Sequence, residues 1–552
     1  MISTRPVEEQ AGLQDVVERA AAWLKECIHG KIRGTKIHAV CPAPSEDYMP
    51  TRLIEITNND GQFELKVREM KGCPTEPYAA LSYCWGGDQA TKSTQALLPQ
   101  WMISIPWDKL PQTLQDAVTF CDKLHIRFLW VDALCIVQDD PNHKAREIAQ
   151  MPNVYRNSIF TIAASRASNV QEGFLGERIA TEFPDLVFEL PYRVTRPPAL
   201  GSITLIKTKI EPEPLDTRGW ALQERLLSPR TIEFGSRQLR CICQHNPRGI
   251  IDGWRLHPET NSSRQDKLSD TVVLQFDALQ DQPAHAQRAG FEEAMENWFS
   301  LVKVYSHRRL TLPTDRILAI SGIAERYGRV FGDQYCAGLW RSTFAKALYW
   351  KPTHEGGKMH PRPQAWQGPS WSWISVNGPV EFPRFKSTGE HEPQIIAIDI
   401  ELANPADPYG ALLEGSGRLT VRARMSPAVL RFEERRDGML EVFAGSISMG
   451  GGNDIFQIPI TYDALETEEE RGENNAVFLE LSTVLGEQKW STKGLIARGE
   501  GNDTFTRIGT FDYTTSDERS RQNDESLEAW QKRMHYEFCW FSGNKEKVVD
   551  IV

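Results

Sequence analysis

A chain of 552 residues exceeds what one hydrophobic core organises, and at roughly 150 residues per domain it makes about two to four domains. Hydrophobic residues make up 40% and charged residues 25%, an ordinary globular composition that excludes wholesale disorder and collagen-like structure. The 63 Lys and Arg against 74 Asp and Glu leave a net charge of −11, which removes any general electrostatic attraction to nucleic acid or anionic lipid.

Residues 1–16 lack a basic flank followed by an apolar run, and no apolar stretch of membrane-spanning length follows, so a cytoplasmic chain with no membrane partner is expected. Residues 8–28 place Leu13, Val16, Val17, Ala20, Trp23, Leu24 and Ile28 at helical spacing, the pattern of an amphipathic docking helix. Residues 34–70 alternate short apolar runs with the turn sequence Asn58-Asn59-Asp60-Gly61, which predicts a hairpin. The run 80–85 is apolar and closed by Gly86-Gly87, a buried strand ending in a tight turn. Pro111 opens a helix carrying Leu114, Val118, Cys121 and Leu124 on one face. A second strand, 126–131, ends at Asp132. A helix over 143–155 follows, with Pro152 expected to kink or end it, and then a third strand over 159–164.

Strand, helix, strand, helix, strand with near-continuously apolar strands predicts a doubly wound parallel sheet covered on both faces. Ligands of such sheets sit outside the carboxyl ends of the strands, here Cys84-Trp85-Gly86, Asp132 to Cys135, and Ser165-Arg166. Residues 180–216 read as Pro-rich and irregular. A helix over 218–227 and a hairpin over 231–244 turning at Gly235-Ser236 come next. Residues 284–350 read as helical, with Pro313 starting one helix. From about Pro369 onward, Gly, Pro and alternating β-branched residues predict a β-sandwich-like domain, and the acidic run 466–470 reads as a solvated loop. The fold class is therefore α+β multi-domain. An N-terminal helix and small β region (1–77), an α/β domain (78–245), a helical region (246–365) and a C-terminal β-rich domain (366–552) make it up.

Three blocks carry a family resemblance. Leu81-Ser82-Tyr83-Cys84-Trp85-Gly86, then the stretch from Leu129 to Asp140, then the stretch from Arg218 to Arg230 resemble, in the right order, the motifs of the fungal heterokaryon incompatibility (HET) domain, over about residues 78–230. Looser similarity runs through 312–324 and 368–380. The resemblance implies a fungal intracellular protein that triggers programmed cell death after fusion of incompatible hyphae. It also implies a TIR-like α/β domain, since HET domains have been likened to TIR domains, some of which cleave NAD.

Within these blocks Asp132 and Glu224 are the leading catalytic candidates: Asp132 as a carboxylate ending a strand, placed for general-base work or for binding ribose hydroxyls, and Glu224 as a carboxylate four residues after Trp220, sharing a helix face with it. The competing readings are a turn cap for Asp132 and a surface ion pair for Glu224. Cys84 and Cys135 lie at strand ends as candidate nucleophiles, against the commoner fate of cysteine as a small buried hydrophobe. Tyr83, Trp85, Gly86, Arg218 and Trp220 are candidate ligand-binding positions. The ten cysteines lack the spacing of a disulfide framework and read as reduced thiols. Cys241, Cys243 and His245 alternate along one strand, but no fourth ligand of conventional spacing follows, so packing is the reading and no metal site is predicted. Trp371 and Trp373 alternate likewise and are expected to pack the β domain. No HExxH, Walker A, GxSxG or strand-following GxGxxG motif occurs. Two functions from different classes follow: a cell-death signalling protein with a protein partner, or an enzyme using a Cys/Asp/Glu pocket on a small molecule, either cleaving a nucleotide or transforming a specialised metabolite. No cofactor is predicted, NAD is a candidate substrate, no nucleic-acid partner is expected, and a homo-oligomer fits either reading.

Overall fold

The structure, a computed structural model, describes residues 13–32, 35–36, 38, 41–42, 47–176, 187–195, 198–206, 212–236, 239–243, 250–251, 284–353, 360–383, 393–434, 440–445, 458–464, 476–485, 489–516 and 545–552. The chain divides into two compact units, Met1–Asp277 and Ala278–Val552. No helix among the described residues is long and apolar enough to cross a membrane.

The first unit opens with helix α1 (Leu13–His29), which buries Val16, Val17, Ala20, Trp23, Leu24 and Cys27 at the expected helical spacing. Its sheet contains β1 (Arg52–Asn59), β2 (Gln62–Glu69), β3 (Tyr78–Ser82), β4 (Phe128–Trp130), β5 (Phe160–Ala163), β6 (Arg230–Phe234), β7 (Leu239–Cys243) and β8 (Ile250–Ile251). They lie in the order β8-β7-β6-β5-β3-β4-β1-β2. Strand β3 sits between β4 and β5 and is parallel to both, pairing Ala79 with Leu129 and Ala80 with Thr161. The three apolar runs are thus parallel neighbours, as their composition predicts. Strand β6 extends the parallel part beyond β5, and the antiparallel hairpins β1–β2 and β7–β8 cover its two sides.

From β3 the chain moves to β4 on one side, then returns across β3 to β5 and β6. The strand order therefore reverses at β3, the position where open α/β sheets gather ligand groups. Helix α2 (Gln112–Lys123) connects β3 to β4. A single turn, α3 (Asp132–Cys135), follows β4, and α4 (Pro141–Asn157) leads to β5. Helix α4 starts at Pro141, capped by the Asp140 carboxylate accepting from the His143 backbone N–H, and runs through Pro152 to Asn157 instead of ending there.

Residues 187–206, read from the sequence as irregular, contain an antiparallel hairpin of Val187–Thr195 and Pro198–Ile206. Its prolines misled because both members of a two-stranded ribbon are edge strands, which tolerate a residue without an N–H. Helix α5 (Gly219–Leu227) then leads into β6.

The second unit carries helices α6 (Ala284–Ser306) and α7 (Leu318–Phe331) and an antiparallel-rich sheet. The sheet contains β9 (Gln394–Asp399), β10 (Arg418–Glu434), β11 (Leu440–Gly445), β12 (Ile458–Tyr462), β13 (Ala476–Leu485), β14 (Lys489–Gly501), β15 (Thr504–Ser516) and β16 (Glu546–Ile551). The sandwich-like expectation is corrected here. Pairings run β10-β11-β12-β15-β14-β13 and return to β10, so the sheet closes on itself. The cause is the 17-residue length of β10, whose successive segments pair with β9 and β16, then β13, then β11. Trp371 and Trp373 are buried, and their indole N–H groups donate to the Gly417 and Gly338 carbonyls at 2.9 Å each, which is the packing role expected of them. The acidic run 466–470 lies outside the described residues.

Candidate functional site

The three motif blocks meet at the carboxyl ends of β3 and β4, around Arg218. This residue precedes α5 in extended conformation and sends its guanidinium back to donate to the Tyr83 carbonyl. Burial opposes its charge, but Glu224 most strongly, then Asp132, Cys84 and Tyr83, outweigh it and hold its pKa above the ordinary arginine value.

Glu224 projects from α5 and is buried, which rules out the surface ion pair as its role. Its carboxylate accepts from the Ser82 hydroxyl at the end of β3, and the Tyr155 hydroxyl also lies against it. Burial raises its pKa from 4.5 to about 6, opposed by Arg218 and by the Ser82 hydrogen bond. Asp132 opens α3. One of its oxygens accepts from the Ala133 backbone N–H at 2.7 Å and the other from the Trp85 indole at 2.9 Å, so it does not cap the turn, whose cap position is Val131, but ties the first block to the second. Burial pushes its carboxyl pKa up as well, with Arg218 opposing. The buried Tyr83 hydroxyl accepts from Gln89 at 3.1 Å and faces Asp132, whose charge helps burial keep the phenol protonated.

The two thiols are placed differently. Cys84 packs with Ala163, Leu215 and Ala221, and burial raises its pKa against the pull of Arg218. Cys135 receives the Val131 N–H at 3.5 Å, and burial pushes its thiol up to about 12. Both shifts run opposite to what a nucleophilic thiolate needs. The chemistry available to the cluster is therefore that of two carboxylates of raised pKa beside one cation.

Gly86 is required by its backbone, which has φ +74° and would place a Cβ 2.0 Å from that of Asn169. Trp85, Asp132, Arg218 and Trp220 remain partly exposed, so the cluster is reached from that side while Glu224 sits beneath it. Next to Ser82, between Thr161 and Leu215, lies a void of about 10 Å³, room for about one water. A ligand-sized cavity of about 580 Å³ lies in the second unit, lined among others by Arg362, Trp366, Asp399, Glu401 and Arg418, none of which the sequence singled out.

Sequence reasoning missed Ser82, Tyr155 and Gln89. The signal for Ser82 was present, a hydroxyl closing an otherwise apolar strand. Cys241 and Cys243 are buried on β7, His245 lies outside the described residues, and Cys243 joins a different group of side chains described below.

No curated protein and no solved structure matches this chain at a significant level. Residues 78–224 match the family model described as Heterokaryon incompatibility protein (HET), a span that begins with β3 and ends at the Glu224 carboxylate. Arg218 and most of the residues that converge on it fall within this span, so residues 78–224 are similar to the heterokaryon incompatibility family.

Proposed function

We infer that this chain acts as a heterokaryon-incompatibility-type signalling protein whose effector surface is the partly exposed edge formed by Trp85, Asp132, Arg218 and Trp220. One observation carries the reading: three sequence blocks far apart in the chain close on one another through Arg218, with an acid on each side of it. A cluster of two acids and one cation is a costly thing to bury for packing alone. A TIR-like wound architecture accords with the reversal of strand order at β3. The test is inducible expression in a fungal host. Growth arrest is expected, relieved by Arg218→Met or Glu224→Gln at equal levels of folded protein. Complete tolerance of high expression, alone and beside candidate partner strains, overturns the reading.

A second reading is favoured by Glu224 itself. A carboxyl with a pKa near 6, hydrogen-bonded to a hydroxyl and backed by an arginine, is poised to accept and return a proton near neutrality. With both acids ionised, the cluster carries one excess negative charge. It therefore suits hydroxyls or a cationic ring, such as the nicotinamide riboside end of NAD, better than it suits phosphates. The discriminating measurement is loss of NAD on incubation with the purified chain. Turnover abolished by Glu224→Gln supports the enzyme, and no turnover with a toxic chain leaves signalling by contact.

A further inference from the structure

Outside the HET match, four side chains from three separate parts of the first unit converge. Cys27 lies in the last turn of α1. His38 and Cys41 flank a turn closed by the Cys41 N–H on the His38 carbonyl at 3.1 Å, and Cys243 ends β7. One ligand atom from each lies within 4.8 Å of all the others, and all four residues are buried. The Nδ1 of His38 is 3.4 Å from the Cys243 sulfur and 3.9 Å from the Cys41 sulfur. A tetrahedral zinc with bonds of about 2.3 Å to sulfur and about 2.0 Å to nitrogen spaces its ligand atoms roughly 3.5–3.8 Å apart. We propose that Cys27, His38, Cys41 and Cys243 bind one zinc ion in a closed, structural Cys3His site.

A second observation points to the same ligand. Arg230 is the cross-strand partner of Cys243, so both side chains leave the same face of the sheet. It is fully buried and donates to the backbone carbonyls of Pro42, one residue beyond Cys41, and of Ile159. Its Nε has no hydrogen-bond partner, and among the described residues no carboxylate lies within ion-pair reach of it. A guanidinium cannot shed its proton, so its charge needs an anion. Three neutral thiols supply none. Three thiolates around Zn²⁺ carry a net charge of −1, and each thiol releases its proton to solvent as the metal binds. The site is closed because the protein fills all four positions, which makes zinc a fastener and not a reagent. It joins α1 and the 38–41 turn to the strand paired with β6.

The experiment uses the 552-residue chain, without a polyhistidine tag, purified from cells grown with added zinc. Plasma mass spectrometry is expected to find one zinc per chain, and exchange for Co²⁺ is expected to give thiolate-to-cobalt charge-transfer bands. Cys27→Ser and Cys243→Ser should lose the metal, whereas Cys121→Ala should keep it. Because a serine variant can fail to fold, His38→Cys serves as the second variant. It is expected to retain one equivalent with a shifted cobalt spectrum. Zinc at background in the folded native chain, a Cys27–Cys243 disulfide found by peptide mapping, or a folded Cys243→Ser chain with a full equivalent each overturns the proposal.

Discussion

Each unit sets an arginine against carboxylate, and the two are finished differently. In the second unit Arg507 is fully buried. It pairs with Asp463 in a fork of 2.7 and 3.0 Å, and donates to the Leu348 and Trp350 carbonyls at 2.6 Å each, with its guanidinium 3.6 Å from the Trp350 ring centroid. One cation meets one anion, and burial leaves the arginine below its ordinary pKa. In the first unit Arg218 meets two acids and sits above its ordinary value, while both acids are pushed up. A balanced pair of this kind fixes structure. An unbalanced trio holds a carboxyl close to its titration point, which is what the proposed proton-handling role asks of it.

The contrast can be broken at Arg507. Asp463→Ala leaves a buried guanidinium uncompensated and is expected to cost about 3–5 kcal/mol, read as a lower denaturant midpoint for the second unit. Arg218→Met is expected to behave otherwise. Its two acids can take up protons, so a loss of about 3 kcal/mol at pH 8 should shrink markedly at pH 5, and a loss independent of pH would refute the comparison.

Glu224→Gln sharpens it further. Because the folded pKa is raised from 4.5 to about 6, the stability linked to Glu224 is whole below pH 4.5 and is lost as pH rises through 6. That difference amounts to about 2 kcal/mol. The variant should therefore gain about that much on the native chain between pH 4.5 and 7, in a series of unfolding midpoints. Asp132→Asn should have the smallest effect, about 1 kcal/mol. It offers one acceptor where the Ala133 N–H and the Trp85 indole each use one, but partial exposure lets water replace the loss. A drop in toxicity or turnover far beyond that change in midpoint would mark Asp132 as functional.

The parallel strands were legible because apolar runs closed by glycine or aspartate carry a periodic signal, and Asp132 could be placed because it ends one of those runs. The hub was not legible. Arg218 reaches a carbonyl 135 residues earlier in the chain, a contact no local pattern encodes. Burial of Glu224 was hidden for the same reason, since the helix spacing showed a shared face with Trp220 but not which face is covered. Closure of the second sheet was missed because alternation reveals a strand and says nothing of its partners. The Cys27–Cys243 group was missed because ligands were sought after Cys243, while the His38-x2-Cys41 spacing lay far upstream.

The sheet order also decides how the HET segment behaves when removed from its surroundings. Cutting at residues 78 and 224 keeps β3, β4 and β5, but discards β1, which pairs with β4, and β6, which pairs with β5. The excised piece would expose two rows of unpaired backbone donors and acceptors on short, strongly apolar strands, a template for intermolecular strand addition. Its insolubility would reflect missing neighbours and not toxicity. A soluble form should begin before Arg52 and continue past Cys243.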